Sequence, residues 1–505
     1  MRHLTSLLLT LTLLACDDGG NSEAPTGDAG TQPTADMATG GAGGEPAADA
    51  MPPDAEAPSD ADLPDADLPD AAPKVEQPFA ETEPVQVSQW LYTSLSGQDP
   101  VGNALEQGTF IAPERLGRDD LGVDWAPLFP QDDGALINVD ADVGYAVGWV
   151  FTAESTSMTL LADRAFTVWF NGRQLPGDVY GSGKLRAALH SNAGDNVLVI
   201  QFAGRRGAPR VQLASTTDPV SVNPADLTVP DLPVGEGSTQ QLTQYIGLPL
   251  LNHGDEALLD VRAQVIEDDR FEGTGTRLPG LAPGAATQLA FELTPKAAFD
   301  AAEETVEVSL AITADNLGTI YTTTVSLSTV AADTTHRRSR RSEVDHSVQY
   351  YGAVPPVGFD PQVTPESPYG LVLSLHGAGV EGIGQARAYS AKDNAWIIAP
   401  TNRRPFGFDW EVWGRLDGLE ALDHATATLQ TDPARTWLTG HSMGGHGTWH
   451  LGVMDTSRFA VIAPSAGWSS FYSYQGLQRP MGVFGRARAP SDTLNYIENL
   501  AQRAV

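Results

Sequence analysis

The chain has 505 residues, with 30 lysines and arginines against 64 aspartates and glutamates, which gives a formal net charge of −34. This length favours several domains, and the acidity excludes binding to nucleic acid through a phosphate-neutralising surface. The chain contains a single cysteine, Cys16, so an intrachain disulfide is excluded and the folded parts must depend on apolar cores.

The N-terminus has the pattern of a secretory signal peptide, predicted over residues 1–15. After a short basic start, the apolar stretch from Leu4 to Leu14 is too short to span a bilayer. The residues Leu13-Leu14-Ala15-Cys16 resemble the lipobox of bacterial lipoproteins. This resemblance implies lipidation of Cys16, and hence a protein anchored to a membrane of a bacterial cell envelope and extracytoplasmic, whether periplasmic or on the outer surface. The alternative is an ordinary signal peptide with an incidental cysteine.

Residues 16–83 are rich in Asp, Ala, Pro and Gly, and carry much of the negative charge. Such a composition cannot bury enough apolar surface to offset the entropy of ordering. We therefore expect a disordered, self-repelling tether. A ligand-binding role for its short acidic repeat, with calcium for instance, is the weaker alternative.

Two β-sandwich domains are predicted next. Residues 84–220 contain short β-prone runs bounded by turn residues, and Phe166 to Phe170 leads into Asn171-Gly172, a strong hairpin signal. This region loosely resembles the jelly-roll modules found beside carbohydrate-active enzymes. Residues 221–332 resemble an immunoglobulin-like accessory domain. We expect no helix in the first region, and a spacer role is the simpler alternative to sugar binding in both.

A basic run, His336 to Arg341, separates these regions from the last one. Because the chain as a whole is acidic, nucleic-acid binding is disfavoured, and the run is interpreted as a solvated linker.

Residues 333–505 alternate strand and helix, which predicts a mostly parallel, doubly wound sheet, here incomplete. Buried-strand runs occur at Leu371 to Leu375, Trp396 to Ala399, Thr436 to Thr439 and Phe459 to Ala463, and a helix is predicted over Leu416 to Leu429. In such sheets, ligands bind at the carboxyl ends of the strands.

A G-x-S-x-G motif, Gly440 to Gly444, follows the third of these strands and precedes a helix. In that context the serine lies on a strained turn that exposes its hydroxyl, and the glycines allow close backbone approach. Ser442 is therefore the predicted nucleophile.

A second motif, His376-Gly377-Ala378-Gly379, follows the strand Leu371 to Leu375. Backbone N–H groups there and at Met443 are suited to stabilising an oxyanion. We expect Ala378 to be the first donor, with Gly377 beside it and Met443 as the second.

Several segments together resemble the prolyl-oligopeptidase-type hydrolases of the α/β-hydrolase superfamily, a group close to the secreted feruloyl and acetyl xylan esterases. The resemblance covers residues 342–505 and is carried by Leu375–Gly379, Ala399–Pro405, Asp409–Glu411, Trp413–Arg415 and Gly440–His450.

The resemblance implies that the loop from Asn402 to Trp413 shapes the substrate pocket. Arg403, Arg404, Trp410 and Trp413 are its candidate contacts to a carboxylate, a sugar or an aromatic acyl group. A structural role for Trp410 and Trp413 is at least as well supported.

In this superfamily the nucleophile is followed along the chain by an acid and then by a histidine. No histidine follows His450 in this sequence, and the earlier histidines are interpreted as structural. We therefore expect the sequence to be truncated before its acid and base, with a degenerate enzyme as the alternative.

Two functions follow. The first is an extracytoplasmic serine hydrolase that cleaves an ester or peptide bond, in a substrate that the sandwich domains suggest is polymeric. The second is an inactive, surface-anchored glycan-binding protein. Neither a metal nor an organic cofactor is implied, and peptide and ester bonds are not distinguished.

Overall fold

The computed structural model describes residues 84–505, apart from 96–97, 114–116, 131–134, 137–142, 179–180, 204–207, 237–242, 301–303, 404–408, 471, 473, 475–478 and 502–504. The predicted signal peptide, the lipidation site Cys16, the tether and the pocket residue Arg404 lie outside the described residues. Among the helices that are described, none has both the length and the apolar character needed to cross a bilayer.

The first described region forms two antiparallel sheets that share one apolar core. One sheet has the strand order β1-β11-β6-β9 and the other β3-β4-β2-β5-β10-β7-β8. The strands are β1 Pro84–Val85, β2 Val87–Leu95, β3 Gly117–Arg118, β4 Asp124–Leu128, β5 Val143–Thr152, β6 Ser157–Asp163, β7 Thr167–Phe170, β8 Arg173–Leu175, β9 Leu185–His190, β10 Gly194–Phe202 and β11 Arg210–Ser215.

The predicted hairpin is present: β7 pairs with β8, and the turn residues Asn171 and Gly172 have φ of 49° and 78°. These are the left-handed values that a two-residue hairpin turn requires.

The expectation that this region lacks helices is wrong. Helix α1, Pro100–Gln107, begins after Asp99, whose carboxylate accepts the Gly102 N–H at 2.7 Å, and ends at the left-handed Gly108. The helix has a proline at its first position and is followed by a glycine, as is common at helix ends. With eight residues, however, it is too short for the helical spacing of its apolar side chains to be recognised in the sequence.

The second region also consists of two sheets around one core. Their strand orders are β12-β14-β17 and β13-β19-β18-β15-β16. The strands are β12 Val220–Val222, β13 Leu232–Pro233, β14 Gln244–Asn252, β15 Leu258–Val265, β16 Gly275–Leu281, β17 Ala286–Leu293, β18 Thr305–Ala314 and β19 Gly318–Val330, with a 3₁₀ turn at Pro224–Asp226. The domain boundaries at 220 and 332, and the jelly-roll and immunoglobulin likenesses, stay predictions.

The third region is a mixed sheet of strand order β20-β21-β23-β22-β24-β25, in which β22 to β25 are mutually parallel. The strands are β20 His336–Arg341, β21 Val348–Val354, β22 Tyr369–Leu375, β23 Ala395–Pro400, β24 Thr431–His441 and β25 Val461–Ser465. The helices are α2 Gly382–Arg387, α3 Trp413–Thr428, α4 Met443–Met454 and α5 Gly482–Arg488, with 3₁₀ segments at Thr456–Arg458, Ala489–Ser491 and Thr493–Leu500.

Alternating side chains of the central strands cover both faces of this sheet. Ile397 and Ala399 pack with Ala386 of α2 on one face, whereas Leu373 and Ile398 join the core formed with α3 and α4 on the other. Because helices cover both faces of the sheet, side chains on both sides of these strands are buried, and the strand sequences are continuously apolar.

The order in which strands are added to the sheet reverses at β22, because β23 lies on one side of β22 and β24 lies on the other. A crevice at the carboxyl ends of the strands is expected at this switch point. The ends of β22 and β24 carry His376 and Ser442.

The basic run is not a solvated linker, which corrects the sequence-based interpretation. It forms β20, in which His336, Arg338, Ser339 and Arg340 are buried. Arg338 forms an ion pair with the buried Glu236 of the second region, and its Nε donates to His336 Nε2 at 2.9 Å. Buried charges persist only when they are paired and hydrogen-bonded, and Glu236, which is distant in sequence, supplies the ion pair.

Candidate active site

Ser442 lies on a sharp turn between β24 and α4, with φ of 54° and ψ of −119°. A non-glycine residue with positive φ is strained and persists only where its surroundings impose the conformation. The backbone N–H of Ser442 donates to the carbonyl of Ser465 at 3.0 Å, which ties the turn to the end of β25. The side chain is partly exposed.

The glycines of the motif are required by space. A Cβ on Gly444 would lie 1.9 Å from the Leu375 carbonyl oxygen, and one on Gly440 would lie 2.3 Å from the Gly444 carbonyl oxygen. Backbone atoms cannot rotate away as a side chain can. The turn therefore packs directly against the end of β22.

The loop after β22 lies beside the turn. A Cβ built on Gly377 would lie 3.7 Å from the Ser442 Cβ and 3.6 Å from the His441 carbonyl oxygen. The Val380 N–H donates to the Gly377 carbonyl at 3.3 Å, and Gly379 between them has φ of 76°. Backbone atoms of Gly377 are thus close to the serine, as an oxyanion loop requires.

Met443 is the first residue of α4, so its N–H belongs to the first turn, where backbone donors have no partner within the helix. Gly377, Ala378 and Met443 therefore stay the predicted oxyanion donors.

His376 fixes this loop and is itself buried. Its Nδ1 lies 2.8 Å from the Gly377 carbonyl oxygen, and its backbone carbonyl accepts the Trp410 Nε1–H at 3.1 Å. Burial lowers the pKa of His376, and the buried ring positions the loop.

The predicted pocket residues divide into separate groups. The Trp410 ring is fully buried against His376 and Gly447, which corrects its assignment to the pocket surface. Trp413 is 52% exposed, and the Arg403 guanidinium lies 5.5 Å from its ring centroid.

Arg403 is already paired with carboxylates. Its guanidinium lies 3.0 Å from Asp345 and 3.3 Å from Glu420. An arginine that is neutralised in this way has little charge left for a substrate carboxylate, so Trp413 is the better-placed pocket candidate.

Sequence reasoning missed Asp417, which anchors the loop after β23. Its buried carboxylate accepts the Asn402 N–H at 2.8 Å and forms an ion pair with Arg340 of β20. Arg340 also reaches Glu420 at 2.9 Å. An aspartate within a predicted helix gives no sign of this role, because its partners lie on other elements.

A general base for Ser442 is not among the described contacts. Within the part of the chain that the structure describes, no side chain hydrogen-bonds the Ser442 hydroxyl. His441 is exposed and its Nδ1 lies 3.1 Å from the Ser465 hydroxyl. His446 and His450 are buried on α4, in keeping with the structural role expected for them.

A cluster of titratable groups lies beneath the turn. The Nε2 atom of His446 is 3.2 Å from an Asp409 carboxylate oxygen and 3.5 Å from a Glu411 carboxylate oxygen. Burial raises the pKa of Asp409. Burial alone would lower the pKa of His446, but the two carboxylates outweigh it and hold that pKa above its ordinary value.

Comparison with known proteins gives partial matches. No family model matches the chain. Over 146 residues it is 28% identical to a bifunctional acetylxylan esterase/xylanase from Neocallimastix patriciarum, which is 26% of this chain and 21% of that protein. It is also 28% identical over 144 residues to an uncharacterized secreted protein from Arthroderma benhamiae, covering 25% and 15%. The match therefore spans about a fifth or less of each of these relatives.

Among solved structures, the chain resembles an S-formylglutathione hydrolase from Staphylococcus aureus, with 16% identity, a TM-score of 0.26 and coverage of 34% of this chain and 76% of that one. It also resembles a ferulic acid esterase from Anaeromyces mucronatus, with 17% identity, a TM-score of 0.22 and coverage of 27% and 59%. TM-scores this far below 0.5 carry no argument about function. The chain is thus similar in sequence, over about a quarter of its length, to an acetylxylan esterase/xylanase.

Proposed function

We propose that the chain is a serine hydrolase of the α/β-hydrolase type that cleaves carboxylic esters through an acyl-Ser442 intermediate. The observation that carries the proposal is the strained turn at Ser442, at the carboxyl end of β24, with the backbone of Gly377 beside it. A serine in this conformation presents its hydroxyl out of the sheet.

In the proposed reaction, the Ser442 hydroxyl oxygen attacks the ester carbonyl carbon while a general base takes its proton. The carbonyl oxygen becomes negative, and the N–H groups of Ala378 and Met443, with Gly377 beside them, stabilise that charge. Collapse of the intermediate releases the alcohol, which takes up the proton, and leaves the acyl group on Ser442. Water then hydrolyses the acyl-enzyme and restores the serine.

Among the described residues, none hydrogen-bonds the Ser442 hydroxyl. In hydrolases of the proposed type, the base is a histidine oriented by an acid, and both follow the serine along the chain. Removal of one triad member typically costs several orders of magnitude in rate.

The similarity to an acetylxylan esterase/xylanase supports an ester of a polysaccharide as substrate. The lipobox-like sequence at Cys16 supports an extracytoplasmic, membrane-anchored location. A peptide bond, as in the prolyl-oligopeptidase type, is the competing substrate class.

The test compares hydrolysis of acetylated and feruloylated xylan fragments with hydrolysis of proline-containing peptides. It uses the protein expressed from its complete gene, and its Ser442→Ala form. We expect release of acetate or ferulate that Ser442→Ala abolishes. Cleavage of peptides alone would overturn the choice of ester, and equal turnover by both forms would overturn the role of Ser442.

A further inference from the structure

We propose that Asp409, Glu411 and His446 form a binding site for one divalent metal ion of the zinc class. The loop after β23 contributes the two carboxylates and α4 contributes the imidazole. The proposal concerns a second site beneath the serine turn, and it does not depend on the hydrolase activity.

The geometry suits a small cation with nitrogen and oxygen ligands. The three donor atoms lie within 4.8 Å of one another, and His446 Nε2 is 3.2 Å from one carboxylate and 3.5 Å from the other. Tetrahedral zinc, with bonds of about 2.0–2.1 Å, holds its donor atoms about 3.3–3.4 Å apart. The two distances bracket that value.

The second ring nitrogen of His446 is arranged as in a metal-binding histidine. Its Nδ1 lies 2.8 Å from the Trp468 carbonyl oxygen, and the Trp468 ring stacks on the imidazole with centroids 5.1 Å apart. A hydrogen bond from Nδ1–H to a carbonyl directs Nε2 toward the ion and fixes the tautomer.

Charge balance points in the same direction. The side chains of His446, Asp409 and Glu411 are only 1%, 7% and 17% exposed. Two carboxylates that are buried beside one imidazole need a cation among them, and a divalent ion that binds the neutral imidazole would supply that charge. Arg488 of α5 is another cation whose charge acts on Asp409. The competing arrangement is a protonated His446 that pairs with both carboxylates and holds no ion.

A bound ion would join the loop to the helix that follows the nucleophile. The backbone N–H of His446 donates to the Ser442 carbonyl at 3.1 Å, and the backbone nitrogen of Asp409 lies 3.1 Å from the Met443 sulfur. The site would therefore fix the position of the Ser442 turn relative to the loop that carries Asp409 and Glu411. Its ligands come from two separated segments, which is why no metal motif is visible in the sequence.

The experiment first removes metal from the purified 505-residue chain by dialysis against a chelator. Zn²⁺ is then titrated by calorimetry, and the midpoint of thermal unfolding is compared with and without Zn²⁺. We expect about one Zn²⁺ to bind per chain and to raise the midpoint, as for a structural zinc site. His446→Gln and Glu411→Gln should weaken binding by more than about 100-fold, since loss of even an outer partner costs 10- to 100-fold.

His441→Gln is the matched control, because His441 lies on the same turn but is exposed and faces Ser465. It should bind Zn²⁺ as the parent does. Glu411→Gln guards against misfolding, since Glu411 is the most exposed member of the cluster, and circular dichroism checks each variant. Absence of zinc uptake and of a midpoint shift in the parent would overturn the proposal and leave the His446 ion pair as the only role of the cluster. Equal binding by His446→Gln would also overturn it, because the zinc would then be bound elsewhere.

Discussion

Gly444 illustrates how one position controls the geometry around the serine. A Cβ at this position would lie only 1.9 Å from the Leu375 carbonyl oxygen, so the approach of that oxygen requires glycine. We expect Gly444→Ala to destabilise the fold by about 3 kcal/mol, at the upper end of the cost of overpacking, because a backbone carbonyl must move. Urea unfolding followed by tryptophan fluorescence measures the change.

Gly384 provides the control for that substitution. It lies within α2, and a Cβ there would meet the Val380 side chain at an ordinary 3.7 Å. Gly384→Ala should stabilise by roughly 0.5–1 kcal/mol through helix propensity. Equal destabilisation by both substitutions would contradict the close approach at the turn.

Single residues were predictable where a motif has one local geometry. The positions of Ser442, Gly440 and Gly444 follow from G-x-S-x-G between a strand and a helix, and the structure has that turn. The burial of Trp410 was not predictable, because it depends on a tertiary contact with Gly447.

At the scale of elements, β20 shows that a run of charged residues can form an internal strand. Arg340 is buried between Asp417 and Glu420, so its removal leaves a buried carboxylate without its cation. We expect Arg340→Gln to cost about 3 kcal/mol, the lower end for breaking a buried ion pair. Denaturant titration of the variant and the parent measures this cost.

The neighbouring Arg341→Gln serves as comparison, since Arg341 ends the strand, is only partly buried and has a long hydrogen bond of 3.4 Å to the His346 carbonyl. Its effect should stay within about 0.5 kcal/mol, as at most surface positions. A double variant of Arg340→Gln with Asp417→Asn should cost less than the sum of the two single changes. Strict additivity would show that the pair does not interact.

The elements of the parallel sheet were predictable and β20 was not. The strands β22 to β25 match the apolar runs to within a few residues, apart from an earlier start of β24, because burial on both faces leaves a continuous apolar signature. The pattern of β20 is polar, and its burial depends on Glu236 and Asp417, which are distant in sequence.

At the scale of the whole molecule, several buried histidines make stability sensitive to acid. Burial lowers the pKa of His336 to about 3, and those of His253, His424 and His450 to about 4. The unfolded chain binds these protons near pH 6.5 and the folded chain does not. The stability that these histidines contribute is therefore fully present above about pH 6.5, and it is lost as pH decreases toward their pKa values in the folded chain.

His336→Gln isolates one such contribution, since a glutamine oxygen can still accept the Arg338 Nε–H that His336 accepts at 2.9 Å. Between about pH 6 and pH 4, we expect the slope of unfolding free energy against pH to fall by roughly 1 kcal/mol per unit. His346→Asn, at an exposed position, is the control and is measured over the same pH range. A slope in His336→Gln equal to that of the parent would contradict the neutral, buried state.

The central claim is that Ser442 is the nucleophile. Its most direct test is reaction with a fluorophosphonate probe, followed by mass spectrometry of the labelled peptide, for the protein expressed from its complete gene and for its Ser442→Ala form. We predict a covalent adduct on Ser442 in the parent and none in the Ser442→Ala form. An adduct on another residue, or no adduct in the parent, would contradict the account.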